Sequence, residues 1–166
     1  MGFTEKHFSN LCSSPMKTVV LISCVSKKRS SKAKAKDIYK SALFKYSLAY
    51  AYTCHPERIF ILSALHHVLD LETEIEPYEV TLSNVPKNRR KPGLKVLNPD
   101  EKREWGNTVI SQLSNQFDLE HDKFIILAGQ EYVKPISKNI KHKCLPLDGL
   151  SIGERLAFLK RHTCNE

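Results

Sequence analysis

Four short segments carry the side chains that could do chemistry, and each follows or interrupts an apolar run. Ser23-Cys-Val-Ser-Lys-Lys-Arg29 places a thiol, two hydroxyls and three cations together. Backbone N–H groups there, with Ser26 and Lys27 or Lys28, could hold a phosphate. Cys24 lies at the same spot as a substrate contact, or as a small core residue ending the apolar run. Ser63-Ala-Leu-His-His-Val-Leu69 offers Ser63 as a small ligand contact and His66 as an acid or base; its plain reading is a histidine capping a turn. Glu76-Pro-Tyr-Glu-Val-Thr-Leu82 offers Tyr78 to stack on a base and Glu76 to activate water, or packs as an ordinary loop. Leu127-Ala-Gly-Gln-Glu-Tyr132 offers close backbone approach at Gly129, an amide at Gln130 and a hydroxyl at Tyr132, or is a turn that needs glycine.

Two further features sit outside these four. Asp37, followed by Ile38 and Tyr39, is a third catalytic carboxylate or imidazole candidate beside His66 and Glu76, with Tyr39 a substrate contact. Asp37 could equally neutralise nearby lysines. The cluster Lys87-Asn-Arg-Arg-Lys91 supplies Lys87, Arg89, Arg90 and Lys91, which with Arg29 could meet a phosphate backbone. A Walker loop and a G-x-G-x-x-G fingerprint are both missing from the sequence.

The elements that must position these residues follow from patterning. Thr18–Cys24, Arg58–Ser63 and Lys123–Ala128 are short, β-branched or aliphatic runs suited to strands buried on both faces. Lys143–Pro146 suits a fourth, edge strand, where proline is tolerated. Leu43, Phe44, Tyr46, Ser47 and Tyr50 recur at helical spacing, as do Trp105, Val109, Ile110 and Leu113 after Pro99. Ser151-Ile-Gly-Glu154 has the capping-box pattern for a last helix. The stretch from Ala64 to about Lys95 holds three prolines and little periodicity, so it is expected as a long loop, functional or disordered. Alternating strands and helices predict an α/β three-layer sandwich with four parallel strands in the order 2-1-3-4. Ligands of such sheets bind beyond the carboxyl ends of the strands, which selects the Ser23–Lys28, Ser63–Leu69 and Ala128–Tyr132 segments.

With 166 residues, 41% of them hydrophobic, the chain suits one core-bearing domain, expected over residues 16–166 after a flexible extension over 1–15. No apolar run approaches the roughly 20 residues that span a bilayer, so no membrane partner is expected. Lys plus Arg is 26 and Asp plus Glu 18; 26 − 18 gives +8, which favours a polyanion. Cys12, Cys24, Cys54, Cys144 and Cys164 are odd in number and none is in C-x-x-C spacing. That argues for a reducing, cytoplasmic setting and against a zinc site or disulfide framework. No metal and no cofactor are expected.

Taken in order, Cys24-Val-Ser-Lys-Lys, Asp37-Ile-Tyr-Lys-Ser-Ala-Leu-Phe44, Ser63-Ala-Leu-His-His-Val, Pro77-Tyr-Glu-Val-Thr-Leu82, Trp105, Leu127-Ala-Gly-Gln-Glu-Tyr132 and Pro146-Leu-Asp-Gly-Leu-Ser-Ile-Gly153 resemble a family of uncharacterised bacterial and phage domains. Against that family's pattern, Leu65 stands at a usual lysine and His67 at a usual glycine. The family in turn resembles, more distantly, the uracil-DNA glycosylase fold, and is similar to domains accompanying transglycosylases that make 7-deazaguanine bases. The resemblance implies work on nucleobases or nucleotides and assigns no reaction.

The expectation is therefore a nucleic-acid or nucleotide-acting enzyme, a glycosylase-like hydrolase of the N-glycosidic bond of a modified or damaged base. Its partner would be nucleic acid, DNA before RNA, or a free nucleotide. A duplex substrate would need its base flipped into the pocket. The rivals are a module that holds a nucleotide or nucleotide signal without turnover, and a nucleic-acid-binding partner of a larger complex.

Overall fold

A computed structural model describes residues 15–163. The extension expected over residues 1–15 lies, apart from Pro15, outside the described residues.

In chain order the strands are β1 (Thr18–Ser23), β2 (Ala33–Lys34), β3 (Arg58–Ser63), β4 (His67–Asp70), β5 (Glu74–Ile75), β6 (Val80–Thr81), β7 (Lys95–Val96), β8 (Lys123–Leu127) and β9 (His142–Cys144). The helices are α1 (Ala35–Ile38), α2 (Ala42–Thr53), α3 (Pro99–Ser114), α4 (Gln130–Ser137) and α5 (Ile152–Thr163). The charge-free run of β1 is central because only a strand covered on both faces can leave Val19, Val20, Leu21 and Ile22 all inaccessible. It pairs in parallel with β3 on one side, Val20 opposite Ile59, and with β8 on the other, Val20 opposite Ile125. Strand β9 extends the sheet in parallel beyond β8.

The sheet has five strands, in the order β4-β3-β1-β8-β9. The expected all-parallel sheet is thus corrected by one strand: β4 turns back from β3 and pairs with it antiparallel, Ser63 opposite His67. The turn is made by His67 itself, at φ 65°, so a histidine occupies the left-handed conformation that glycine adopts without a Cβ penalty. No alternation of polar and apolar residues announced β4, because Val68 and Leu69 read as a continuation of the loop.

The long middle section is also more ordered than a structureless loop. β5 pairs with β2, and β6 pairs in parallel with β7. Backbone bonds from Lys95 N–H to Glu79 O and from Leu97 N–H to Thr81 O close the base of the 80–96 excursion. These ladders are two residues long, too short for periodicity to reveal them.

Helices flank the sheet in two pairs, α2 with α5 and α3 with α4. Right-handed crossovers running outward in both directions from β1 put the pairs on opposite faces. The starts of α3 and α5 have a local cause. Asn98 and Glu101 form a capping box ahead of α3, with Pro99 in the first turn. Ser151 and Glu154 do the same for α5, at 2.9 and 3.2 Å. Gly106 lets α3 meet α4 closely: a Cβ there would lie 2.5 Å from the Pro135 carbonyl oxygen. Buried Asp122 accepts the Lys17 and Asp118 N–H groups, tying the entry of β8 to that of β1. No helix among the described residues is long and apolar enough to cross a membrane.

Candidate functional site

The ladder of β1 continues one residue past its end, where Cys24 N–H donates to Leu62 O at 3.0 Å. The chain then leaves the sheet as a short antiparallel pairing of its own. Arg29 N–H donates to Ile38 O, Lys40 N–H donates to Lys27 O, and Lys28 faces Tyr39. This holds the basic loop in one shape despite its six cations. Opposite it runs the segment entering and leaving β6. Here residues alternate: Tyr78 and Leu82 are buried, whereas Glu79, Thr81 and Ser83 turn to the other side.

Between the two lies a cleft of about 170 Å³, lined by Cys24, Val25, Ser26, Lys28, Glu79, Val80, Thr81, Ser83, Val85, Lys91, Leu94 and Tyr132. It opens at the carboxyl end of the central strand, where α/β sheets bind ligands. It is smaller than the roughly 300–1,000 Å³ of sites for drug-sized ligands, so it admits a single ring or a phosphate group rather than a whole dinucleotide.

Tyr132 forms the inner wall. Its ring stands edge-on to Trp105 at 5.8 Å, and the Trp105 indole N–H donates to Ser63 O at 2.9 Å. Its hydroxyl accepts from Leu82 N–H and lies 3.4 Å from both Cys24 Sγ and Thr81 Oγ1. Burial pushes the Tyr132 phenol well above its ordinary range, so it remains a proton donor. Lys28 is half-buried; its ammonium sits 4.3 Å from the Tyr78 ring centre and donates to Ser26 O at 3.4 Å. Burial lowers the Lys28 pKa, the Cys24 thiol opposing that trend. Across the cleft Glu79 pairs with Lys91 at 3.3 Å. The outer segment is braced from behind by Lys102, which reaches Asn84 at 3.0 Å and Glu131 at 2.7 Å.

Of the residues singled out by sequence, the cleft brings together Cys24, Ser26, Lys28, Lys91 and Tyr132. The others are placed elsewhere. Tyr78 is buried, its hydroxyl 2.7 Å from that of Tyr39 and 2.8 Å from Ser63 Oγ, and Lys28 covers its ring. With its hydroxyl and ring so engaged, Tyr78 stands outside the cleft lining. Tyr39 and Ser63 are buried in the same hydroxyl chain, and Ser63 Oγ also accepts from His66 N–H. His66 lies behind Tyr78, edge-on at 5.4 Å, outside the cleft lining; burial lowers its pKa. Glu76 and Asp37 are exposed, and Asp37 is used through its carbonyl, which accepts from Arg29 Nε. The Gln130 amide is bound by Asp148, and a Cβ on Gly129 would meet the Arg155 guanidinium at 3.2 Å. Lys27, Arg29, Lys87, Arg89 and Arg90 are exposed on the two segments that carry the cleft walls. Arg90 Nε donates to Val85 O.

The polar cleft residues that sequence reasoning missed are Glu79, Thr81 and Ser83. Their signal was present: Tyr-Glu-Val-Thr-Leu-Ser alternates apolar and polar, which sends one set inward and the other to one shared face. Among the described residues no group of three or more His, Cys, Asp or Glu is placed to hold a metal ion.

Residues 19–161 match a family of unknown function, DUF6884. The chain belongs to that family. The match runs from the start of β1 to the last turn of α5, so every wall of the cleft falls inside the DUF6884 region. No curated protein and no solved structure matches the chain.

Proposed function

We propose that this DUF6884 protein acts on nucleotides or nucleic acid, and that the cleft at the end of β1 takes one nucleobase or sugar-phosphate unit for hydrolysis of its N-glycosidic bond. The observation that carries the reading is a carboxylate, Glu79, facing two ammonium groups, Lys28 and Lys91, across a cleft the size of a single ring. The cations suit a phosphate. The carboxylate suits activation of water and stabilisation of positive charge developing on the sugar. Ser26, Thr81 and Ser83 supply hydroxyls for the polar edges of the ligand. The net charge of +8 and the exposed cations on both flanking segments favour a polyanionic substrate. The four parallel strands suit the uracil-DNA glycosylase-like fold that the sequence resembles.

The catalytic assignment differs from the one the sequence suggested. Glu79 takes the part expected of His66, Glu76 and Asp37, because those three do not line the cleft. A base-release assay over single- and double-stranded DNA, RNA and free nucleotides tests the reading. Release by the wild type, reduced about a hundredfold or more in Glu79→Gln, is the expected result. Release unaffected by that substitution contradicts it.

One observation favours a second reading. Glu79 is already engaged by Lys91, an arrangement that suits a site holding a nucleotide without turning it over. Tight nucleotide binding with no base release from any substrate selects that alternative.

A further inference from the structure

We infer that Cys24 is a nucleophile of the cleft, its thiolate held by Lys28 and Tyr132, and that it forms a covalent bond with a compact carbon electrophile no larger than one ring. This goes beyond the nucleotide reading and does not depend on it.

The geometry is specific on three counts. First, Cys24 is 8% exposed, and that exposure is to the cleft, where Sγ stands at the carboxyl end of the central strand. Second, the Tyr132 phenolic oxygen, which accepts from Leu82 N–H at 3.4 Å, lies 3.4 Å from Sγ, within reach to donate its proton to a thiolate there. A phenol donating to sulfur favours the anionic form. Thr81 Oγ1 is the competing acceptor at equal distance, but as a hydroxyl it can donate to the phenolic oxygen in its turn. Third, Lys28 lines the same cleft, half-buried, and among the described residues no carboxylate lies within ion-pair distance of it. The nearest acid of the cleft, Glu79, is neutralised by Lys91. A half-buried cation without an acidic partner is stabilised by an anion beside it, and the thiolate of Cys24 is the anion this wall can generate. The groups that face Cys24 are thus Lys28 from the first loop, Tyr132 from α4, and the Glu79–Lys91 pair from the segment around β6.

The step balances without a redox partner. The thiol proton passes to solvent, the sulfur lone pair forms a C–S bond, and the leaving group departs from carbon with its bonding pair.

Iodoacetamide is the probe, iodide its leaving group, and the full chain provides its own reference in exposed Cys144. Peptide-resolved mass spectrometry reads each rate near pH 7. Cys24 is expected to alkylate about tenfold or more faster than Cys144, because the thiolate is the reacting form. Lys28→Met should remove most of that gain and leave the Cys144 rate unchanged. Lys28→Arg should keep it, since the charge remains. Tyr132→Phe should cost severalfold. Ultraviolet thiolate absorbance, wild type minus Cys24→Ser, reads the same ionisation without needing reagent access. A Cys24 no faster than Cys144 together with no thiolate signal near neutrality overturns the inference, as does a rate indifferent to Lys28→Met in a variant whose melting temperature is unchanged. No nucleotide enters this experiment, so its failure leaves the base-release result to be judged separately.

Discussion

The two ends of the sheet carry concavities of opposite character. At the amino end a groove of about 380 Å³ runs past Tyr52, His55, Arg58, Asp70 and Glu72. At the carboxyl end the cleft beside Cys24 is less than half that size. The larger one is chemically spent: Arg58 pairs with Asp70 at 2.5 Å, and Glu72 is shared by Lys34 and Lys36. The smaller one keeps on one wall a thiol, a phenol and a cation that, among the described residues, has no acidic partner. The difference teaches that volume does not select a site. Strand direction does, because successive loops at the carboxyl end converge on the central strand.

Substitutions on the two sides should diverge most in stability at Tyr132. Tyr132→Ala removes a buried ring packed on Trp105 and should cost about 3–5 kcal/mol by denaturant unfolding. Tyr132→Phe deletes only the hydroxyl contacts and should cost about 1 kcal/mol. At the amino end Arg58→Ala breaks an exposed pair and should cost at most about 1 kcal/mol, with no change in nucleotide handling. An Arg58 variant that loses nucleotide binding would break the comparison.

The pH response should also differ in sign between the ends. Burial lowers the pKa of His66 and His67, in the turn at the carboxyl end, with His66 adding to the shift of its neighbour. These groups bind protons less readily folded than unfolded, so their contribution is complete above about pH 6.5 and is lost as pH falls below it. His121, before β8, is raised by its bond to Asp118. Its contribution is present below about pH 6.5 and is lost as pH rises through the folded pKa. Melting temperatures measured across this range should show a shallower acid-side fall in a His66→Gln/His67→Gln variant, and a shallower alkaline-side fall in His121→Gln. The smallest effect is expected at His67→Gly. Relief of the left-handed strain, about 1–2 kcal/mol, is offset by the added freedom of the unfolded chain, about 0.4–1 kcal/mol. A shift of the melting midpoint to a clearly lower temperature would show that the His67 side chain contributes packing beyond its turn.

Legibility in the sequence followed the strength of local signals. Strands β1, β3 and β8 announced themselves as short aliphatic runs, and the helix starts at Pro99 and Ile152 through the proline itself and the Ser151–Glu154 box. The first loop was recognisable as a cleft wall, because its cations follow a strand end. Strand β4 was not, since its turn is made by His67 in a conformation where glycine is the usual cue. Tyr78 attracted a ligand role because a tyrosine beside a proline reads as an exposed platform. Its hydroxyl instead completes a buried chain with Tyr39 and Ser63, a contact between residues 39 and 15 positions apart that no local pattern encodes. Glu79 was passed over for Glu76, although alternation through Tyr78–Ser83 separates the two faces.

The most direct test of the central claim is an NMR titration of the uniformly labelled protein with a nucleoside 5′-monophosphate. The account predicts shifts at Cys24–Lys28, Glu79–Ser83, Lys91 and Tyr132, with Arg58 and Asp70 unmoved. Shifts gathered along the amino-end groove, or none in the cleft at saturating nucleotide, would contradict it.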